Sequence, residues 1–389
     1  MSTLADAVHA ELDATLAGVD ERLRRQAVAS ADGRQPVHTV YVPADRIHAD
    51  LVDRWRTDAL AAVRAHGPLP CAAELTGLVE AKLAREPIED LRIDFEDGYG
   101  VRPDADEDAA VDRVATFLAE AALPPFVGVR CKSLEEGTRR RAVRTLDRLF
   151  GRVGPRPLTV TLPKVSDPAQ VRAMVLLCQA LEEAHGLGAG ALRFEIQIET
   201  PAAVLDTDGR ATVPLLIAAA EGRCVGLHYG TYDYSAALGI AAHRQSLAHP
   251  AADHAKAVMQ LAVAGTGVRL SDGSSNVLPV GATGRVRAAW RLHHRLVRRS
   301  LDRGFYQGWD LHPAQLPTRY AATYAFFRDG APAAADRLRA YLDRRAERTG
   351  VLDEPATARA LAGYLLRGLD CGALTESDAG FPRTELEAL

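Results

Sequence analysis

Residues 193–201 of this 389-residue chain have the sequence RFEIQIETP, and this stretch decides the fold. Arg193–Ile198 is a short, strand-like run, and it ends in the charged loop sequence Glu199-Thr200-Pro201. The same layout recurs on both sides of it. Short runs rich in β-branched residues alternate with longer amphipathic stretches, which is typical of βα units and a parallel sheet.

Eight such strands are predicted along the chain. They are His38–Val42, Leu91–Phe95, Phe126–Arg130, Leu158–Leu162, Arg193–Ile198, Cys224–Tyr229, a seventh within Val268–Val280 and an eighth around Phe305–Leu311. Helical segments between them include Ala109–Ala121, Thr138–Phe150, Pro168–His185 and Val286–Asp302. Eight units predict a closed (β/α)8 TIM barrel of the α/β class, because the Gly-rich phosphate turn typical of an open doubly wound sheet is missing.

The chain divides into three predicted parts. Residues 1–36 form an N-terminal helical segment, in which Leu4, Val8, Leu12, Leu16 and Val19 recur at helical spacing over 4–30. Residues 37–330 form the barrel, and 331–389 form an extension of two or three helices outside it. The stretch Gly265–Gly284 is rich in Gly, Ser and Asn, which favours a mobile loop over one barrel face.

Composition excludes several classes of protein. With 47% hydrophobic and 25% charged residues, the chain can bury a sizeable core. The net charge of −4 gives no electrostatic reason to expect nucleic acid or an anionic membrane. Five scattered cysteines without a C-x-x-C pair favour reduced thiols in the cytoplasm and argue against zinc. The N-terminus lacks a signal-peptide core, and no window is apolar enough to span a bilayer.

Charged residues cluster where the predicted strands end. Catalytic groups in TIM barrels lie at the C-terminal ends of the strands, because the βα loops open on that face. The ends of the strands carry Asp45, Asp94, Glu96, Asp97, Arg130, Lys164, Glu199, Asp233, Asp310 and His312. Each acidic residue alone is more often a cap for the next helix. The convergence of Arg, Lys, Glu and Asp on one mouth favours a site.

The ordered motifs V-x-V-P-A-D, D-x-E-D, V-R, L-P-K, I-E-T, G-x-x-D and G-x-D-L-H-P-x-Q, over about residues 37–320, resemble a known family. This is the citrate lyase β-subunit and HpcH/HpaI-type aldolase family of the phosphoenolpyruvate/pyruvate-binding barrel superfamily. The resemblance implies that Glu199 and Asp233 bind Mg²⁺, with Mn²⁺ as the alternative, and that Arg130 holds the substrate carboxylate. It implies that Asp94 and Glu96 lie behind them, and one of these two is a candidate base.

Elementary chemistry agrees with that assignment. Mg²⁺ is typically held by one or two carboxylates, with water and substrate oxygens completing an octahedron. A keto acid supplies two such oxygens, and the metal stabilises the enolate charge that develops when the bond next to the carbonyl breaks. The guanidinium of Arg130 suits a carboxylate because its fork donates two parallel hydrogen bonds. An alternative for Arg130 is a structural ion pair with Asp94 or Glu96.

Several neighbouring residues receive separate predictions. Strand alternation places Asp94 and Glu96 on one side and Asp97 on the other. Lys164 is expected to pair with Glu96 or Glu199. Gly230 and Thr231 are predicted to contact the substrate. His312 is expected to anchor the last loop, and His228 is expected to be a satisfied histidine at the barrel mouth.

The predicted function is a Mg²⁺-dependent carbon–carbon lyase or aldolase acting on a β-hydroxy acid or acyl-CoA derived from a keto acid. Departures from the family pattern at Tyr232, Cys131-Lys132 and Gly98 to Gly100 put a CoA thioester substrate in doubt. The alternatives are a Schiff-base aldolase using Lys164, a phosphoenolpyruvate-handling enzyme, and a non-catalytic metabolite-binding relative. The resemblance also implies a homo-oligomer, either a trimer or a hexamer.

Overall fold

A computed structural model describes residues 6–29, 33–154, 156, 158–343 and 354–389. Its eight strands are β1 (Thr39–Pro43), β2 (Asp90–Asp94), β3 (Phe126–Arg130), β4 (Thr159–Leu162), β5 (Arg193–Ile198), β6 (Cys224–Tyr229), β7 (Arg269–Ser274) and β8 (Gln307–Asp310). They pair in parallel in chain order, and β8 closes on β1. The predicted (β/α)8 barrel is confirmed, and three of its strands have the predicted bounds.

Helices connect the strands of the barrel, and others precede and follow it. They are α1 (Asp6–Ala29), α2 (Leu51–His66), α3 (Ala73–Arg85), α4 (Asp104–Glu120), α5 (Arg139–Val153), α6 (Pro168–Ala184), α7 (Pro201–Val204), α8 (Val213–Ala219), α9 (Thr231–Ala237), α10 (Pro250–Val263), α11 (Thr283–Asp302), α12 (Leu316–Leu342), α13 (Pro355–Asp370), α14 (Glu376–Ala379) and α15 (Arg383–Glu387). Short 3-10 turns lie at Ala44–Arg46, Ala242–Arg244 and Pro313–Gln315.

The predicted three-part division of the chain stays a prediction. The last barrel helix, α12, runs across the expected boundary at residue 330, and α13 packs against it. Leu4, expected to begin the first helix, lies outside the described residues. The loop expected over 265–284 is shorter than predicted, because β7 occupies 269–274 and α11 begins at Thr283, which leaves residues 275–282 between them.

Strand alternation separates an apolar outer layer from a polar interior. Residues such as Leu91 and Ile93 on β2 are fully buried in the hydrophobic core. The other face of the strands carries buried polar side chains. These are Thr39, Asp90, Arg92, Asp94, Arg130, Thr161, Glu195, Gln197 and His228. Most barrels of this type fill their interior with branched aliphatic residues, so this interior is unusually rich in charge.

Asp310, at the end of β8, belongs to the outer layer. Its carboxylate accepts hydrogen bonds from Nε and Nη2 of Arg319 on α12, both at 3.1 Å, and lies 3.0 Å from Nδ1 of His38. Burial alone would raise the pKa of Asp310, but the Arg319 guanidinium and the neighbouring histidines hold it well below its usual range. Asp310 therefore fastens β8 to α12 and does not face the barrel mouth.

We expect Asp310→Ala to lower the free energy of unfolding by about 3–5 kcal/mol, because it leaves a buried arginine without its counter-charge. The loss is measured as a shift in the urea midpoint. Asp329→Ala is the matched control, since Asp329 pairs with Arg298 while exposed to solvent, and we expect it to cost less than about 1 kcal/mol. Equal losses in the two variants would contradict a fastening role for Asp310.

Candidate active site

Arg130, the last residue of β3, lies beneath the C-terminal mouth and pairs with Asp94 at the end of β2. Its Nε donates to Asp94 Oδ1 at 2.7 Å and its Nη2 to Oδ2 at 2.6 Å, so the pair is bidentate. Nη1 lies 3.2 Å from Glu96 Oε2, and the Tyr41 ring lies beside the guanidinium. Both ion pairs that the sequence suggested for Arg130, with Asp94 and with Glu96, are present. Of the three guanidinium nitrogens, Nη1 has the longest contacts.

Both carboxylate oxygens of Asp94 accept hydrogen bonds from the protein. Besides Arg130, its oxygens accept backbone N–H groups from Glu96 and Gly98, each at 2.8 Å. A Cβ on Gly98 would lie 2.5 Å from Asp94 Oδ2, so glycine is needed for the turn to close over this carboxylate. Asp94 therefore holds both the arginine and the loop after β2.

Lys164, after β4, brings together acidic residues that follow β2, β5 and β6. Its ammonium lies 2.6 Å from Asp233 Oδ2 and 2.9 Å from Asp97 Oδ2. Glu96 Oε1 and Glu199 Oε1 follow at 3.6 and 3.7 Å. Burial alone would lower the pKa of Lys164, but these carboxylates raise it above its usual value. The ion pairs expected with Glu96 and Glu199 are present, and the ammonium stays charged.

The placement of Asp97 corrects the expectation from alternation. Asp97 was predicted on the side opposite Asp94 and Glu96, yet its carboxylate contacts Lys164 at the mouth. The reason is that β2 ends at Asp94 and residues 95–99 form a turn. Alternation holds only within a strand.

Glu199 is the deepest of these carboxylates and is almost fully buried. Oε1 accepts the backbone N–H of Lys164 and Oε2 the amide of Gln197, both at 2.7 Å. Burial, together with the charge of Asp233, raises the pKa of Glu199 although Lys164 and Arg130 oppose that shift. A carboxylate whose pKa is raised in this way is stabilised in its charged form by a cation close to it.

Gln197 was not predicted, and it links the two halves of the site. Its carbonyl oxygen lies 3.4 Å from Arg130 Nη1 while its amide donates to Glu199. A sequence signal existed, because Glu195, Gln197 and Glu199 alternate along β5 and so share the interior face. Asp90, Arg92 and Asp94 show the same pattern on β2.

Gly230 and Thr231, predicted to contact substrate, lie at the start of α9, just before Asp233. A Cβ on Gly230 would lie 2.3 Å from Glu199 Cβ, so the glycine gives room to that carboxylate. The Thr231 hydroxyl is buried and points to Ser274 O at 3.5 Å. Tyr232, the departure from the family pattern, donates to Ser274 O and accepts the N–H of Asn276. It therefore ties the loop after β6 to the loop after β7.

The two histidines differ from each other. His312 accepts the N–H of Ala314 and caps the turn after β8, as expected of an anchor. His228 is satisfied but lies inside the barrel and not at the mouth, which corrects its expected position. Trp309 Nε1 donates to His228 Nδ1 at 2.9 Å, and His228 Nε2 lies 3.2 Å from Glu195.

The carboxylates of Glu199 and Asp233 flank the ammonium of Lys164, and these two residues are the candidate metal ligands. Among the described residues, no group of three or more His, Cys, Asp or Glu side chains is arranged to hold a metal ion. A site of one or two carboxylates is what Mg²⁺ commonly uses, since it keeps water and takes substrate oxygens.

The barrel and its charged mouth define the class of the protein, and comparisons with known structures agree at the level of fold. A citrate lyase from Burkholderia xenovorans LB400 aligns with TM-score 0.62 and 20% identity over 90% of this chain and 96% of its own. Protein CitE from Mycobacterium tuberculosis, in complex with magnesium and acetate, aligns with TM-score 0.50 and 18% identity over 86% and 98%. The barrel fold expected from the resemblance is thereby confirmed.

The malate synthase of Haloferax volcanii, as a magnesium/glyoxylate complex, aligns with TM-score 0.50 and 14% identity over 85% of this chain and 98% of its own. No curated protein matches the sequence significantly. The chain belongs to the family described as a domain of unknown function, DUF6986, which matches residues 16–389.

All five cysteines are free. Among the described residues, no helix is long and apolar enough to cross a membrane.

We expect Gly230→Ala to lower the free energy of unfolding by about 1–3 kcal/mol, because the added methyl group overlaps Glu199. Thermal unfolding measures the change. Gly77→Ala in α3 is the control, since a Cβ there meets no atom within 4 Å, and alanine should stabilise that helix by about 0.5–1 kcal/mol. A neutral Gly230→Ala variant would show that the space beside Glu199 is not restricted.

Proposed function

We propose that this protein is a Mg²⁺-dependent carbon–carbon lyase or aldolase that acts on an adduct of a small keto acid. The observation that supports it is the pair Glu199 and Asp233 flanking one cation, with the guanidinium of Arg130 linked to Glu199 through Gln197. Two proteins of the same fold were solved with magnesium and a small carboxylate, acetate or glyoxylate.

The residues fit a divalent cation. Lys164 already places a positive charge between Glu199 and Asp233, and the burial of Glu199 favours its neutralisation by a cation. Glu199 is rigidly held by two hydrogen bonds, whereas Asp233 is about half exposed and free to adjust. When bound, Mg²⁺ supplies positive charge that stabilises the negative charge developing on the ketone oxygen of the substrate.

Arg130 is proposed to orient the substrate carboxylate through Nη1. Its Nε and Nη2 are committed to Asp94, while Nη1 has contacts of 3.2 and 3.4 Å to Glu96 and Gln197. Asp94 fixes the plane of the guanidinium, so the free edge faces one direction before the substrate arrives. Such preorganised donors stabilise charge at little reorganisation cost.

Glu96 is favoured over Asp94 as the proton-transfer group. Both oxygens of Asp94 accept two hydrogen bonds each, so no lone pair is well placed for a substrate hydroxyl. Glu96 Oε1 has only the long contact with Lys164, and burial raises the pKa of Glu96. A carboxyl in that environment suits general acid–base work near neutral pH.

The Schiff-base alternative is disfavoured by the surroundings of Lys164. A nucleophilic lysine must lose its proton, usually in an apolar pocket or beside another cation. The ammonium of Lys164 has four carboxylates within 4 Å instead, and they raise its pKa. We propose that Lys164 is an electrostatic partner of the site.

The function is tested by incubating the chain with Mg²⁺ and a panel of β-hydroxy acids and acyl-CoA adducts, and by measuring released pyruvate, oxaloacetate or glyoxylate. We expect EDTA and Asp233→Asn each to lower turnover at least about 100-fold, since a metal-polarised carbonyl contributes several kcal/mol. The same variant should lose Mg²⁺ binding in calorimetry. Asp45→Asn, at the same face but bonded to Arg102, should keep both. EDTA-resistant turnover would refute the proposal.

Glu96→Gln should lower kcat by about 10²–10⁴-fold, the usual contribution of a general acid–base group, while leaving calorimetric Mg²⁺ affinity nearly unchanged. Asp94→Asn should instead raise KM and lower the thermal midpoint, because it loosens Arg130. Unchanged kcat in Glu96→Gln, measured in steady state from pH 6 to 9, would remove Glu96 from this role.

A further inference from the structure

The N-terminal helix α1 carries an apolar seam that is exposed at its described positions. Val8, Leu12, Leu16 and Val19 are 38%, 52%, 45% and 36% exposed. Every described side chain from residue 7 to residue 20 is exposed. The spacing from Leu12 through Leu16 and Val19 alternates by four and three residues, and the sequence continues it at Leu23. That alternation is the seam of a two-stranded coiled coil.

From residue 7 to residue 20, no side chain of the helix is buried against the rest of the described chain. Isolated helices are marginal in water, and most helical stability in proteins comes from packing of an apolar face. With 24 residues, α1 is about 36 Å long. The described part of the seam, from Val8 to Val19, is exposed to water and calls for a partner surface of matching period.

The charge pattern indicates which partner. Residues 6–15 contain Asp6, Glu11 and Asp13 and no Lys or Arg, whereas residues 16–29 contain Arg22, Arg24 and Arg25 against Asp20 and Glu21. The two halves therefore have opposite net charge. In an antiparallel pair of α1 helices, the acidic half of each helix lies beside the basic half of the other. In a parallel pair, halves with the same sign of charge would lie beside each other.

We infer that α1 is an interaction surface for a second copy of this chain, which pairs with it as an antiparallel two-stranded coil. The centre of the pairing lies between residues 17 and 18, so Leu16 of one chain faces Val19 of the other. This interface is separate from the barrel mouth and does not depend on the proposed function.

Analytical ultracentrifugation of the full chain tests the pairing. The variant Leu12→Glu/Leu16→Glu should raise the dissociation constant of the α1 contact at least about 100-fold, by removing two seam residues, and so halve the mass. Ala14→Glu/Ala17→Glu adds the same charge on the opposite side of the exposed helix and should leave the mass unchanged. A monomeric wild type at about 100 µM, or an unchanged mass in the seam variant, would overturn the inference.

Disulfide cross-linking tests the direction. Under mild oxidation, Leu16→Cys/Val19→Cys should form a covalent dimer, because opposed seam positions lie within the Cα separation of a disulfide. Leu12→Cys alone should not, since antiparallel pairing separates the two copies of position 12 by about 16 Å along the axis. The wild type controls for its own cysteines, of which four are buried and Cys71 is half-buried. Cross-linking of Leu12→Cys alone would overturn the antiparallel arrangement.

Discussion

The structure depends on the mutual neutralisation of charges packed inside the barrel. Arg130 meets Asp94 in a bidentate pair, and one layer below Arg92 donates to Asp90 at 2.5 Å and to Glu195 at 2.6 Å. A buried charge without a partner costs several kcal/mol, so each cation fixes where its carboxylates must lie. This requirement sets the rotamers of the interior more tightly than apolar packing would. The strands carry these charges at alternate positions, and the barrel closes around them.

The need of buried polar groups for partners also determines the tautomer of His228 inside the barrel. The indole N–H of Trp309 can only donate, so Nδ1 of His228 must be the acceptor of their 2.9 Å hydrogen bond. The ring proton then lies on Nε2, facing Glu195 at 3.2 Å. The negative charge of Glu195 is balanced by Arg92, whose Nη2 lies 2.6 Å from Glu195 Oε1. Arg92, Glu195 and His228 thus form a fixed polar layer beneath the residues of the mouth.

Much of this architecture follows from the sequence because its signals are local. The strands are short β-branched runs, and their order and the ends of β3, β5 and β6 are predictable. The site is partly predictable, since Arg130, Lys164, Glu199 and Asp233 all follow strands and therefore share one face. Gln197 and Arg92 were missed although alternate polar residues in β2 and β5 indicate a polar interior. Asp97 was predicted on the wrong side, because strand alternation ends at Asp94, where the N–H groups of Glu96 and Gly98 bond to its carboxylate and turn the chain.

Lys164 shows how backbone conformation and charge act together. Its φ of 53° is in the left-handed region that residues with a Cβ rarely adopt, at a cost of about 1–2 kcal/mol. Glu221 has a φ of 51°, but it lies in an exposed turn before Gly222, so strain alone does not mark a site. At Lys164 the same conformation directs the backbone N–H to Glu199 and lets the ammonium reach Asp233. One strained residue thus holds both carboxylates of the proposed metal pair, and those two contacts offset the strain.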